Sequence, residues 1–170
     1  MSHPRRLAVL GLIALILTTT GCGTGPDMQP TITIAQAIDQ VNTLVQEAFA
    51  QLPPGAQLQA TGPTDNVPCK GGAGGTETGQ VFTERKYEIM HPDTWPADQL
   101  IDILDRYWQT RGYTLVRDNR DDPVLAVLYR RDPHNTISVG VKLYPRGGGR
   151  IDAYLVGSTP CVWENGTPPG

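Results

Sequence analysis

Few side chains of this chain are of the types that catalyse acyl transfer. Beyond the first 21 residues the only serines are Ser138 and Ser158, and neither lies in a Gly-x-Ser-x-Gly or Ser-x-x-Lys motif. His91 could act as a base beside Asp93, although a His-Pro-Asp sequence is also typical of a turn between a strand and a helix. We therefore predict no catalytic residue.

Three further patterns resemble ligand-binding motifs without completing them. His91 and His134 lack the Cys-x-x-Cys or His-x-x-x-His neighbours of a metal site, and residues 118–122 lack the alternating oxygen ligands and closing Glu of a calcium loop. The glycine-rich residues 69–79 lack the Gly-Lys-Ser/Thr of a phosphate-binding loop. The sequence thus predicts no metal and no cofactor, and a mobile loop over residues 69–79.

Aromatic side chains are the strongest candidates for a contact surface. Tyr144 and Tyr154 fall in consecutive predicted strands, and exposed aromatic residues on a sheet mark contact surfaces more often than catalytic sites. The alternative is that both rings are half-buried and purely structural. We take Tyr144 and Tyr154 as candidate binding residues.

The charge of the chain limits the classes of partner. The formal net charge is -3, and it becomes -5 when Arg5 and Arg6 are removed with an N-terminal leader. Because there is no basic cluster, nucleic acid is excluded as a predicted partner. Attraction to anionic lipid headgroups is excluded for the same reason, so any membrane attachment needs another cause.

The first 22 residues have the layout of a secretory leader. Arg5 and Arg6 precede an apolar run over residues 7–17, which is too short to span a bilayer, because a spanning helix needs about 20 residues. The Thr-Gly-Cys ending resembles the lipobox of bacterial lipoproteins, although Thr19 stands where Leu is commonest. This resemblance implies a signal peptide over residues 1–21, a lipid on Cys22 and a place on the extracytoplasmic face of the cell membrane.

Cysteine number then suggests a bridge. With Cys22 acylated, Cys69 and Cys161 are the pair that remains in an oxidising compartment, which favours one disulfide. Two free buried thiols or a metal-binding pair are the alternatives.

The 149 residues after the leader are enough for one domain. Residues 22–33 are predicted to be a flexible tether from the lipidated cysteine, residues 34–161 a single α+β domain, and residues 162–170 a Pro/Gly-rich tail.

Apolar periodicity predicts two helices. Thr33 and Gln36 form a capping box at the start of the first helix, and Pro53 follows its end. Pro96 begins the second helix and Gly112 ends it. Asp102 and Asp105 are expected on its solvent-facing side.

Alternating patterns predict an antiparallel sheet of about five strands. Residues 136–144 alternate most regularly, residues 61–68 are rich in turn formers, and residues 56–60 could add a short strand. Since the connections are of hairpin length, the two helices should pack on one face of the sheet. The predicted strands cover residues 80–90, 113–117, 124–130, 136–144 and 150–157.

The order of lipobox, helix, Cys69, strand, a helix closing in Arg111-Gly112-Tyr113, strand meander and Cys161 resembles the small actinobacterial lipoproteins of the LppJ and LppA kind. The resemblance implies an α+β domain in which Cys69 pairs with Cys161. It implies no catalytic residues.

Two functions from different classes fit the sequence. The first is a non-catalytic module that binds an envelope protein, lipid or glycan on the outer side of the cytoplasmic membrane. The alternative is an unrecognised extracytoplasmic hydrolase. A polar constellation in a pocket would favour the hydrolase, whereas an aromatic patch on the sheet or an apolar cavity would favour the module. The lack of nucleophile motifs favours the module.

The lipid anchor is testable at Cys22. We expect Cys22→Ala to move the protein from the detergent phase to the aqueous phase, or to stall its export, because the acyl chains supply the membrane affinity. The measurement is detergent partitioning of wild type and variant, with Cys161→Ser as a cysteine control that keeps the anchor. Equal partitioning of wild type and Cys22→Ala would refute the lipoprotein prediction.

Overall fold

The computed structural model of the protein describes residues 32–71 and 75–168. The predicted signal peptide, Cys22 and the tether up to residue 31 lie outside the described residues. Within the described ranges, none of the helices has the length and apolar character needed to cross a membrane.

These two ranges form two α-helices and six β-strands, together with two short 3-10 turns. The strands form one antiparallel sheet in the order β1-β2-β6-β5-β4-β3. Both helices pack with one face of this sheet around a shared core, so the predicted α+β class is confirmed, with six strands rather than about five. The elements are α1 (Ile34–Phe49), β1 (Gln57–Gly71), β2 (Thr76–Met90), α2 (Leu100–Thr110), β3 (Thr114–Asn119), β4 (Ala126–Arg131), β5 (Ser138–Pro145) and β6 (Ile151–Ser158).

Helix α1 begins at the predicted capping box. The Gln36 amide donates to Thr33 Oγ1 at 3.2 Å, and the Thr33 amide donates to Gln36 Oε1 at 3.0 Å, which satisfies two of the free N–H groups at the helix start. Its buried stripe packs on β2, β5 and β6. At Gly157 the helix lies so close to β6 that an added Cβ would be 2.5 Å from Val41 Cγ1.

Helix α2 closes the other half of the core. It follows a 3-10 turn, Ala97–Gln99, and it packs on β4 and β5 through Leu100, Leu104 and Trp108, all almost fully buried. Gly112, with a φ of +79°, ends the helix in the left-handed conformation that glycine adopts without strain.

The hairpin of β1 and β2 differs from the prediction. Residues 61–68, predicted as turn-rich, lie in β1, and residues 69–71 and 76–79 of the predicted mobile loop lie in strands. The prediction was wrong because β1 is almost wholly exposed and therefore has no apolar alternation to detect. Three register shifts against β2, together with Pro63 and Pro68, also interrupt its pattern.

A disulfide ties this hairpin to the C-terminal segment. Cys69 and Cys161 are bonded, with their Cα atoms 6.1 Å apart, so the predicted bridge is confirmed. Val162 forms a β-bridge with Val81, and the Glu164 carbonyl accepts from the Ile34 amide at 3.2 Å. Residues 162–164, which begin the predicted tail, thus pack against the domain.

Removal of the bridge should destabilise the domain strongly. It closes a loop with a sequence separation of 92 residues, for which chain entropy gives about 4 to 5 kcal/mol. Since 1 kcal/mol corresponds to about 2 to 4 °C for a domain of this size, Cys161→Ser should lower the Tm by about 10 °C in circular dichroism. The control is wild type under a reductant, which should match the variant. An unchanged Tm would contradict the prediction.

Candidate binding face and the neighbouring cleft

The face of the sheet opposite the helices carries a cluster of aromatic and cationic side chains. Leu155 lies in the core, so Tyr154 and Val156 on either side of it point to the opposite face. Strand pairing places Lys142 opposite Tyr154, and both Gly140 and Lys86 opposite Val156. We call the resulting surface the tyrosine face; its members are Tyr129, Tyr144, Tyr154, Lys86 and Lys142.

Tyr129 lies directly across Gly140 of the neighbouring strand. A Cβ atom on Gly140 would be 2.6 and 2.8 Å from two Tyr129 ring carbons and 2.7 Å from the Leu128 carbonyl oxygen. Val127 and Val156 are almost fully buried although they share this face and not the core side. The tyrosine face therefore includes a second, small apolar layer, and Gly140 is the residue that lets Tyr129 lie flat against it.

The two candidate binding residues are brought together by the β5–β6 pairing. The Tyr144 and Tyr154 rings meet edge to face, with centroids 5.5 Å apart. Lys86 Nζ lies 3.9 Å from the centroid of the Tyr154 ring and 5.7 Å from that of Tyr144, which is cation–π geometry. Sequence patterns identified the tyrosines but not Lys86, which belongs to a strand distant along the chain.

Electrostatics keeps Lys142 charged and the Tyr129 and Tyr154 phenols protonated near neutral pH, because the pKa of each of these groups is raised. Burial lowers the pKa of Lys142, but the hydrogen bond to Tyr129 and the nearby charge of Glu84 together outweigh burial and raise the pKa above its usual value. Burial, with the nearby carboxylates Glu88 and Asp152, raises the pKa of Tyr154. The Tyr154 hydroxyl therefore remains able both to donate and to accept hydrogen bonds.

A polar cleft of about 450 Å³ opens beside the tyrosine face, where β2 ends and β6 begins. Glu88 and Asp152 border both surfaces, because they pair with Tyr154 and Tyr144 on the sheet and also line the cleft. The other polar side chains of the cleft are His91, Asp93, Asp98 and Arg150.

His91 has a structural environment within this cleft. Its Nδ1 lies 2.9 Å from the Pro92 carbonyl oxygen, its Nε2 lies 3.0 Å from the Ile151 carbonyl oxygen, and its ring stacks on Trp95 at 4.9 Å. Both ring nitrogens thus face main-chain acceptors. Ser158 is seven residues beyond Ile151 along β6, about 23 Å away in an extended strand, so the structure does not bring this serine to His91.

A second charged cluster lies on the helix side. Asp105 was expected on the solvent-facing side of α2, but it is buried, with Arg130 Nε 2.6 Å and Arg120 2.8 Å from its oxygens. Burial raises the pKa of Asp105, but the hydrogen bonds from Arg120, Arg130 and Gln109, with the charge of Arg130, together outweigh burial and lower the pKa below its usual value. The expectation was wrong because the two arginines that pair with Asp105 lie outside α2, so the helical pattern alone does not reveal them. The Asp105 carboxylate and the two guanidinium groups are paired with one another, so this cluster has a structural role and connects α2 to β4.

Other ligand chemistry is not evident in the part of the chain that the structure describes. No group of three or more His, Cys, Asp or Glu side chains is placed there to hold a metal ion. No protein-family model matches the chain, and no curated protein is similar to it. Among the described residues, the tyrosine face and the cleft are therefore the two candidate functional surfaces.

The role of Gly140 is testable. We expect Gly140→Ala to lower the free energy of unfolding by about 1 to 3 kcal/mol, because the new methyl group must push Tyr129 away or shift the strand. Gly147→Ala is a matched control, since an added Cβ there meets nothing within 4 Å, and it should stay within about 0.5 kcal/mol of wild type. Urea unfolding measures both. Equal stabilities of the two variants would contradict this account.

Proposed function

We propose that the protein is a lipid-anchored envelope protein whose domain is a non-catalytic binding module on the outer side of the cytoplasmic membrane. The observation that carries the binding role is the tyrosine face, an aromatic patch on the side of the sheet that neither α1 nor α2 covers. The leader, Cys22 and the resemblance to small actinobacterial lipoproteins support the location.

Binding uses the side chains on the face of the sheet and not the backbone of its edge strands. Edge strand β1 has three register shifts and contains Pro63 and Pro68, and edge strand β3 has a register shift between Leu115 and Arg117. Such bulges and prolines oppose the addition of a further strand. The face is different, because Tyr is enriched in contact surfaces and its ring loses little conformational entropy on binding.

The cleft is the one observation that favours the hydrolase. It is polar, it holds His91, and carboxylates surround it. Two features weigh against catalysis: both His91 nitrogens face carbonyl oxygens, and neither Ser138 nor Ser158 is near the ring along the strands. A general base needs a free nitrogen within reach of the proton that it removes.

Four single substitutions separate the two functions. We expect Tyr144→Ala and Tyr154→Ala to reduce recovery of the bound partner by about 30-fold or more, since truncating an aromatic anchor commonly costs about 2 kcal/mol or more. His91→Ala and Ser158→Ala should retain the partner, because both His91 nitrogens already face main-chain carbonyl oxygens and Ser158 lies at the far end of β6. The measurement is affinity purification of the tagged lipoprotein from native membranes, followed by analysis of co-purifying protein, lipid and sugar.

A tyrosine on the helix side provides the control. Tyr107→Ala removes a partly buried ring from α2, and it should leave recovery of the partner unchanged. All variants are first compared by circular dichroism so that only folded proteins are scored. If a folded His91→Ala protein lost its cellular activity while Tyr144→Ala and Tyr154→Ala remained fully functional, the binding-module proposal would be wrong and the hydrolase would take its place.

A further inference from the structure

We propose that the tyrosine face and the adjoining cleft bind an uncharged oligosaccharide, an inference that rests on the proposed binding role of this face. Four polar groups there have no hydrogen-bond or ion-pair partner among the described residues. They are the Lys86 ammonium, the Glu88 carboxylate and the hydroxyl groups of Tyr144 and Tyr154.

Other charged groups on the same face do have partners. On the same face, Lys142 lies 3.9 Å from Glu84, and Arg146 donates to Asp152 at 2.7 Å. Lys86 and Glu88 have opposite charges and alternate along β2, yet they do not pair with each other. The unpaired groups therefore form a patch with one positive charge, one negative charge and two neutral hydroxyls.

This set of groups matches the chemistry of a sugar. An ammonium only donates hydrogen bonds, a carboxylate only accepts them, and a phenol does both. Sugar hydroxyls both donate and accept, so one saccharide can satisfy all four groups, while the tyrosine rings provide apolar surface for its C–H groups. A polyanion would be repelled by Glu88 and Asp152, and a polycation would be repelled by Lys86.

The cleft adds further hydrogen-bond donors and acceptors, with carboxylates in excess. Its volume of about 450 Å³ lies within the range of roughly 300 to 1,000 Å³ for small-molecule sites. The Asp93 and Asp98 carboxylates provide further acceptors, and the Arg150 guanidinium provides donors. Because Glu88 and Asp152 border both surfaces, a chain of several sugar units can contact the face and the cleft at once.

The test uses oligosaccharides matched in length and different in charge. Full-length lipoprotein in nanodiscs, with ¹³C-labelled tyrosine, is titrated with four neutral hexasaccharides: mannohexaose, maltohexaose, cellohexaose and N-acetylchitohexaose. The anionic and cationic comparators are hexagalacturonate and hexaglucosamine. We expect at least one neutral hexasaccharide to shift the ring resonances of Tyr144 and Tyr154, with an affinity at least tenfold higher than either charged comparator. No shift with any neutral probe, or tighter binding of a charged one, would overturn the proposal.

Substitutions that preserve side-chain size locate the site. Lys86→Met and Glu88→Gln should each weaken neutral hexasaccharide binding at least tenfold, whereas Lys70→Met and Glu77→Gln, which alter a cross-strand pair near the far end of the hairpin, should not. Equal effects of the two pairs would overturn the assignment. If Tyr144→Ala loses the native partner but no saccharide binds, the module stands and the saccharide inference fails. If Tyr144→Ala and Tyr154→Ala both keep the native partner, both proposals fail.

Discussion

The close approach of α1 to β6 at Gly157 is the constraint on which the arrangement of the domain depends. Val41 occupies the space that any side chain at this position would need, so the helix can lie directly on the sheet. With α2 beside it, the helical layer covers one face and leaves the other to the tyrosines. Gly140, on the neighbouring strand and facing the opposite way, has the equivalent role for Tyr129. Two glycines therefore allow close packing on the two faces of the same part of the sheet.

The two ends of the sheet, on either side of the central strands β6 and β5, are stabilised by different interactions. At the β4 end of the sheet, the buried Asp105 of α2 forms ion pairs with Arg130 and Arg120. A buried carboxylate of this kind stabilises the fold only while it stays paired with its cationic partners. On the side of β1 the sheet has little core, because most of that strand is exposed. There the Cys69–Cys161 bridge replaces apolar burial as the main stabilising contact.

Local chemistry explains which elements the sequence predicted. The capping box at Thr33, the glycine at Gly112 and the alternation of β5 are signals carried by adjacent residues, and the structure has each of them. Strand β1 has no such signal, since exposure removes the alternation. The ion pair at Asp105 and the position of Lys86 over Tyr154 depend on strand pairing, which no local pattern encodes. Gly140 in the middle of a strand was a signal that could have been used, because such a glycine often marks close approach of another group. The lipid on Cys22 lies outside the described residues and stays a prediction.

The direction of α1 separates the point where the described chain begins from the cleft. At the start of the helix, Ile34 is hydrogen-bonded to Glu164, and beyond its end the Pro53 carbonyl accepts from Trp95 in the wall of the cleft. The helix has 16 residues and is thus about 24 Å long. The start of the described chain and the cleft therefore lie at opposite ends of α1, so whatever precedes Ile34 is held away from the cleft by the full length of this helix.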